Sequence, residues 1–165
     1  DRGSIAEQWY VRMYASSEAI THVKFSKVEM ARQGVELSKD RVPDIIDKTR
    51  LKDVKHVSGP LDADNQRQLV EFASLIARDL IVDGRSMKLE SMAVIFTEPN
   101  GGAANALYIA DLVTNRDWMS VEIFNSHGER RIVTVADLSK GSFNPHGGAK
   151  GLASAIRAFT VGGSP

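Results

Sequence analysis

The stretch "WMSVEIFNSHGERRIVTVADL", residues 118–138, carries the clearest fold signal in the chain. Apolar and polar side chains alternate from Met119 to Ile123, with the two-residue period of a β-strand. A short polar segment containing a glycine follows, and a second apolar run begins after it. The sequence therefore predicts a β-hairpin formed by 118–124 and 130–138.

The segments on either side extend this sheet. The run "LESMAVIFT" (89–97) is apolar and ends at a Pro-Asn-Gly-Gly turn signal, which predicts a strand. Residues 105–115, "NALYIADLVTN", alternate tolerably but also fit three helical turns, and we expect a strand. A closing helix is predicted after the glycines at 147 and 148, because Leu152, Ile156 and Phe159 share one helical face.

The first half of the chain has the apolar spacing of helices. Helices are predicted over 4–20 and over 26–37, where a glycine at 34 is expected to break the second one. The polar segment 38–60 predicts a short helix that begins near Pro43. The strongest helical pattern covers 62–84, with an aspartate at its start and a glycine as its stop signal.

These elements predict the α+β class: N-terminal helices packed on a small, mostly antiparallel sheet, with a C-terminal helix. We expect a single domain over 1–165, with a helical part at about 4–84 and the sheet plus closing helix at about 88–160. A chain of 165 residues with 42% apolar and 25% charged residues is typical of one globular domain.

Composition excludes several classes of function. The 21 basic and 21 acidic residues give a formal net charge of zero, which argues against a surface tuned throughout to a phosphate backbone. Cysteine is absent, so thiolate nucleophiles, disulfides and cysteine zinc sites are excluded. No apolar run has the length of a membrane span and no signal peptide is recognisable, so we expect a cytoplasmic protein without a membrane partner.

The most suggestive motif lies just before the predicted last helix. The segment "FNPHGGAKG" (143–151) places His146, Gly147, Gly148 and Lys150 at a helix N-terminus, where free backbone N–H groups and the helix dipole attract anions. These four residues are the predicted ligand-binding residues. The spacing of the P-loop and of the dinucleotide fingerprint is absent, and the same residues also suffice for a plain turn.

The same residues carry a resemblance to a known family. From about Ala93 to Ser154, the order of strands, glycine motif and alanine-rich helix is similar to the nucleic-acid-binding C-terminal domain of DHH phosphoesterases. In that resemblance Gly147, Gly148 and Ala149 fall on the family's glycine run. The resemblance implies that nucleic acid is a possible ligand, and residues 1–88 match no part of the family's aspartate-rich metal domain.

An aromatic cluster in the first helix suggests a protein interface. Trp9 and Met13 lie on one side of the helix, while Tyr10 and Tyr14 lie on a neighbouring side, so the apolar stripe is wide. Deep burial is one explanation. A contact with a partner chain is the other, since interfaces favour Tyr, Trp and Met. Trp9, Tyr10 and Tyr14 are therefore the predicted interface residues.

Other candidate chemistry is weaker. The four histidines lack the spacing of a metal pair, so no metal or cofactor is expected. Glu90 and Glu98 flank one strand and in principle form an acid–base pair, but strand-end carboxylates are usually solvated. The basic residues of 48–56 favour a solvated, charged face over a phosphate contact.

No catalytic residue is assigned from the sequence. The leading hypothesis is a non-enzymatic protein-binding or assembly module whose partner is another protein or a second copy. The alternative is a phosphate-ligand or nucleic-acid-binding domain that uses the glycine-rich loop 144–151.

Overall fold

The fold is known from a computed structural model that describes residues 2–162. Within this range six α-helices are present: α1 (Arg2–Tyr14), α2 (Lys27–Arg32), α3 (Ala63–Ala73), α4 (Pro99–Ala104), α5 (Ala106–Val113) and α6 (Gly148–Thr160). The eight strands are β1 (Ala19–Ile20), β2 (Ile45–Asp47), β3 (Arg50–Lys55), β4 (Asp79–Val82), β5 (Arg85–Lys88), β6 (Ser91–Phe96), β7 (Met119–Phe124) and β8 (Arg130–Val133).

Six of the strands form one mixed sheet in the order β1-β2-β3-β6-β7-β8, and β4 pairs with β5 separately. The pairs β1–β2, β2–β3 and β7–β8 are antiparallel. Between β3 and β6 the chain directions agree, because Glu90 N–H donates to Thr49 O and Thr97 N–H donates to Lys55 O at the other end. The predicted α+β class is confirmed.

The described chain divides into two compact units. The first comprises residues 2–6, 54–61 and 93–162, and the second comprises 7–53 and 62–92. The predicted helical part, 4–84, also contains strands β1 to β4. No helix of the described residues is long and apolar enough to cross a membrane.

Several predicted elements are confirmed. The strands β7 and β8 pair as an antiparallel hairpin, with Val121 opposite Val133, but the second strand is shorter than the predicted 130–138, because Val135–Leu138 form a 3-10 helix. The side chain of Ser26 accepts a hydrogen bond from Glu29 N–H at the start of α2, and Asp62 caps α3 in the same way. The closing helix α6 also forms.

The strand predicted at 105–115 is wrong, because this segment forms α5. Its buried side chains recur at i, i+3, i+4 and i+7, which is the period of a helix: Ala106, Ile109, Ala110 and Val113.

The short helix predicted near Pro43 is also wrong, since β2 and β3 form a hairpin there. In β3 the consecutive residues Leu51, Lys52 and Asp53 are all buried. Because both faces of this strand are covered, its sequence lacks the alternation that marks a half-buried strand.

The helix predicted over 62–84 ends at Ala73, and the rest of the segment contains β4, which forms a hairpin with β5. Asp83 and Gly84 both have positive φ, at 51° and 78°. That backbone is typical of a two-residue Asp-Gly hairpin turn, so the glycine reverses the chain here and does not end a helix.

A buried amide organises the first unit. The Asn105 side chain accepts a hydrogen bond from Leu61 N–H at 2.9 Å and donates to the carbonyl oxygens of Gly59 and Gly101 at 3.0 and 2.8 Å. It thereby joins the segment after β3 to α4. The contact is close, because a Cβ added at Gly101 would lie 2.0 Å from Val57 O.

We expect Gly101→Ala to lower the free energy of unfolding by about 1–3 kcal/mol, because the new methyl group overpacks the contact with Val57. The measurement is urea denaturation followed by circular dichroism. Gly59→Ala is the matched control, since nothing lies within 4 Å of its added Cβ. Equal stability of the two variants would contradict the close packing of α4.

Candidate functional site

The first helix buries a different face from the one that its apolar spacing suggests. Ile5 is 66% exposed and Met13 is 58% exposed, whereas Ala6 and Tyr10 are buried. The sequence alone gives two apolar faces of similar size, so it does not decide which of them turns inward.

Burial of Tyr10 depends on a distant lysine. Its hydroxyl oxygen lies 3.2 Å from Lys52 Nζ, and this ammonium also lies 5.2 Å from the centre of the Tyr10 ring. Lys52 is itself only 7% exposed. A buried ammonium requires polar partners, and Tyr10 provides both a hydroxyl and a π-face.

The fold therefore buries one of the three predicted interface residues completely and leaves the other two partly exposed. Tyr10 is fully buried and adds nothing to the surface, while Trp9 and Tyr14 are half-buried. The Trp9 and Tyr14 rings meet edge to face at 5.8 Å between centroids, beside the exposed Met13. We call Trp9, Met13 and Tyr14 the α1 face. Met13 was not assigned to the interface from the sequence, although its spacing from Trp9 signals the shared side.

The glycine-rich loop forms the start of α6. Gly147 and Gly148 both have positive φ, at 75° and 77°, and no side chain caps the helix. His146, Gly148 and Lys150 are exposed, and Gly147 is half-buried. The fold thus brings the four predicted ligand-binding residues together around one helix N-terminus.

A buried asparagine fixes this loop. Asn144 accepts a hydrogen bond from Gly147 N–H at 3.0 Å and donates to the carbonyl oxygens of Asp137 and Gly148 at 3.0 and 3.1 Å. A Cβ at Gly151 would lie 2.4 Å from the Asn144 amide oxygen, so the first turn of α6 also packs against this side chain. Sequence reasoning missed Asn144, whose only signal is its place before a proline.

An arginine stands near the same loop. The Arg131 guanidinium lies 3.7 Å from the centre of the Phe143 ring, and one of its Nη atoms is 3.3 Å from Asp137 Oδ1. This stacking holds a cation next to the residue that opens the loop.

The two glutamates considered as an acid–base pair have separate partners. Glu90 accepts a hydrogen bond from the Thr49 hydroxyl at 3.2 Å, and Glu98 Oε1 lies 3.4 Å from His56 Nε2. The other ring nitrogen of His56 is 2.7 Å from Thr97 Oγ1. His56 thus joins the segments that follow β3 and β6, and the sequence gives no sign of this contact because 41 residues separate His56 from Thr97.

The solvated face predicted for the basic residues of 48–56 is wrong for Lys52 and Lys55, which are both buried. The prediction of a solvated face agrees with the exposure of Lys48 and Arg50. The charged residues of this segment therefore divide between the interior and the surface.

No family model, curated protein or solved structure matches this chain significantly. The similarity to the DHH phosphoesterase domain accordingly stays a hypothesis that depends on 93–154 alone. Within residues 2–162, no group of three or more histidine, aspartate or glutamate side chains has the arrangement of a metal site.

Proposed function

We propose that the protein is a binding module that associates with another protein chain, in the first instance a second copy of itself, through the α1 face. The observation that carries the proposal is the exposure of Met13, 58%, beside the half-buried rings of Trp9 and Tyr14. Residues of these three types are enriched in protein interfaces relative to the rest of a protein surface.

Burial of this face would supply binding energy. Complete burial of an exposed apolar side chain contributes about 1.5–3 kcal/mol, and the half-buried rings of Trp9 and Tyr14 contribute less than this. The two rings are already ordered by their contact with each other, so their immobilisation on binding costs little further entropy.

A second copy is the favoured partner because of charge. The formal net charge of the chain is zero, so two copies do not repel each other at long range. Proteins near zero net charge associate more readily than strongly charged ones.

The proposal predicts a mass above the 18.1 kDa of one chain when light scattering is measured at tens of micromolar protein. Met13→Ser and Trp9→Ser should each lower the measured mass to that of a monomer, because each removes apolar contact area from the α1 face. Val70→Ser is the matched control, since Val70 is 64% exposed on α3 and lies outside the α1 face. A protein that is monomeric at every concentration, or variants that associate as the wild type does, would refute self-association.

The glycine-rich loop supports a second function, the binding of a phosphate-bearing ligand. The supporting observation is the pair of consecutive positive-φ glycines at the start of a 13-residue helix that has no side-chain cap. Such a backbone leaves N–H groups for an anion, and Lys150 adds a charge in the first turn. Nucleic acid is one member of this class of phosphate-bearing ligands.

For this second function we expect Lys150→Gln to weaken the binding of a fluorescent nucleotide several-fold, more strongly at low salt than at high salt. The measurement is fluorescence anisotropy. Arg157→Gln is the matched control, because it removes the same charge from the last turn of the same helix. Equal weakening by both variants would indicate a general charge effect and would count against the loop.

A further inference from the structure

A polar cavity lies at the turn of the β2–β3 hairpin, within the second unit. Its volume is about 240 Å³, several times the roughly 30 Å³ share of one water molecule, so it has room for a small ligand. Its lining contains three cations, three hydroxyls and one carboxylate: Lys48, Arg50, Lys52, Ser16, Thr49, Ser91 and Asp47. We call it the hairpin pocket.

The single carboxylate of the pocket is already satisfied. Asp47 accepts hydrogen bonds from the backbone N–H and the hydroxyl of Ser16, and Lys52 Nζ lies 4.0 Å away. Burial disfavours the charged form of Asp47, but the bonds from Ser16 and the charges of Lys52 and Lys48 outweigh it and hold the pKa of this carboxyl below its ordinary value. Asp47 is therefore ionised at neutral pH and its charge is balanced locally.

Two cations of the pocket form no ion pair. Among the described residues the Lys48 side chain has no hydrogen bond or ion pair, and the only hydrogen bond of the Arg50 side chain joins its Nε to Ser91 Oγ at 2.9 Å. The terminal N–H groups of Arg50 thus stay available, and so does the hydroxyl hydrogen of Ser91, which acts as the acceptor in that bond. Thr49 already donates to Glu90.

The backbone conformation of the turn indicates that the Lys48 side chain has a role other than forming the turn. Asp47 pairs with Arg50, so Lys48 and Thr49 form a two-residue loop. Lys48 has a φ of 59°, in the left-handed region that suits glycine or asparagine and disfavours lysine. The loop therefore keeps a lysine at a position where its own backbone would be more stable with glycine.

We propose that the hairpin pocket binds the phosphate group of a small phosphomonoester. A phosphate dianion matches the charge of the two cations that form no ion pair, and its oxygens accept hydrogen bonds from Lys48 Nζ, the Arg50 guanidinium and the Ser91 hydroxyl. An arginine fork and a lysine point charge are the usual protein donors to phosphate. The remaining volume holds the ester group.

The test is isothermal titration of the whole protein with inorganic phosphate and with O-phosphoserine, at low ionic strength and pH 8. We expect binding that Lys48→Gly and Arg50→Gln each weaken at least tenfold. The melting temperature of Lys48→Gly should equal or exceed that of the wild type, because glycine relieves the backbone strain. That combination separates loss of a ligand contact from loss of the fold.

Two controls make the result specific. Lys88→Gln removes an exposed charge from β5, and Arg157→Gln removes one from the last turn of α6; both should bind the probes as the wild type does. Tighter binding of O-phosphoserine than of inorganic phosphate supports an ester ligand, and equal binding overturns the ester and leaves a site for free phosphate. No binding by the wild type, or equal weakening by Lys88→Gln, overturns the hairpin pocket while leaving the proposed self-association through the α1 face standing.

Discussion

The ammonium group of Lys52 determines much of the second unit. Moving an ammonium out of water costs several kcal/mol unless polar partners replace the water, and Lys52 is almost completely buried. The Tyr10 hydroxyl, the Tyr10 ring and the Asp47 carboxylate take the place of that water. This requirement places Tyr10 on the inner side of α1.

The contact between Tyr10 and Lys52 also affects which side chains of α1 lie at the surface. While Tyr10 faces inward, Met13 stays exposed and Trp9 half-buried, and with Tyr14 they form the surface proposed for association. On its other side, Lys52 approaches Asp47 and forms part of the lining of the hairpin pocket. A single buried cation thus links the surface proposed for association with the cavity proposed for a phosphate group.

The sequence correctly predicts those elements whose determining residues lie close together along the chain. The caps at Ser26 and Asp62 and the hairpin of β7 and β8 depend on residues that are near each other in sequence, and all three are observed. The helical period of 105–115 was also present in the sequence, where four apolar residues repeat at helical spacing. It was misread because the same segment alternates tolerably.

Long-range contacts account for what the sequence did not reveal. The partner of Tyr10 lies 42 positions further along the chain, and no periodicity indicates that a lysine will be buried there. Of the candidate sites, the glycine-rich loop could be grouped from the sequence because its residues lie close together along the chain, although the role of Asn144 in fixing it was not predicted. The α1 face was located only in part, and the hairpin pocket was not recognised because Ser16 and Ser91 come from distant segments.

The orientation of α1 is the central claim, and the absence of cysteine from the chain allows a direct measurement of it. Single substitutions Ala6→Cys and Ile5→Cys place a thiol on a buried and on an exposed side of the same helix. In dilute, native protein we expect the thiol at 5 to react with a maleimide at close to the rate of a free thiol, and the thiol at 6 to be strongly protected. Protection at 5 together with rapid reaction at 6 would show that the helix turns its other face inward and would contradict the account.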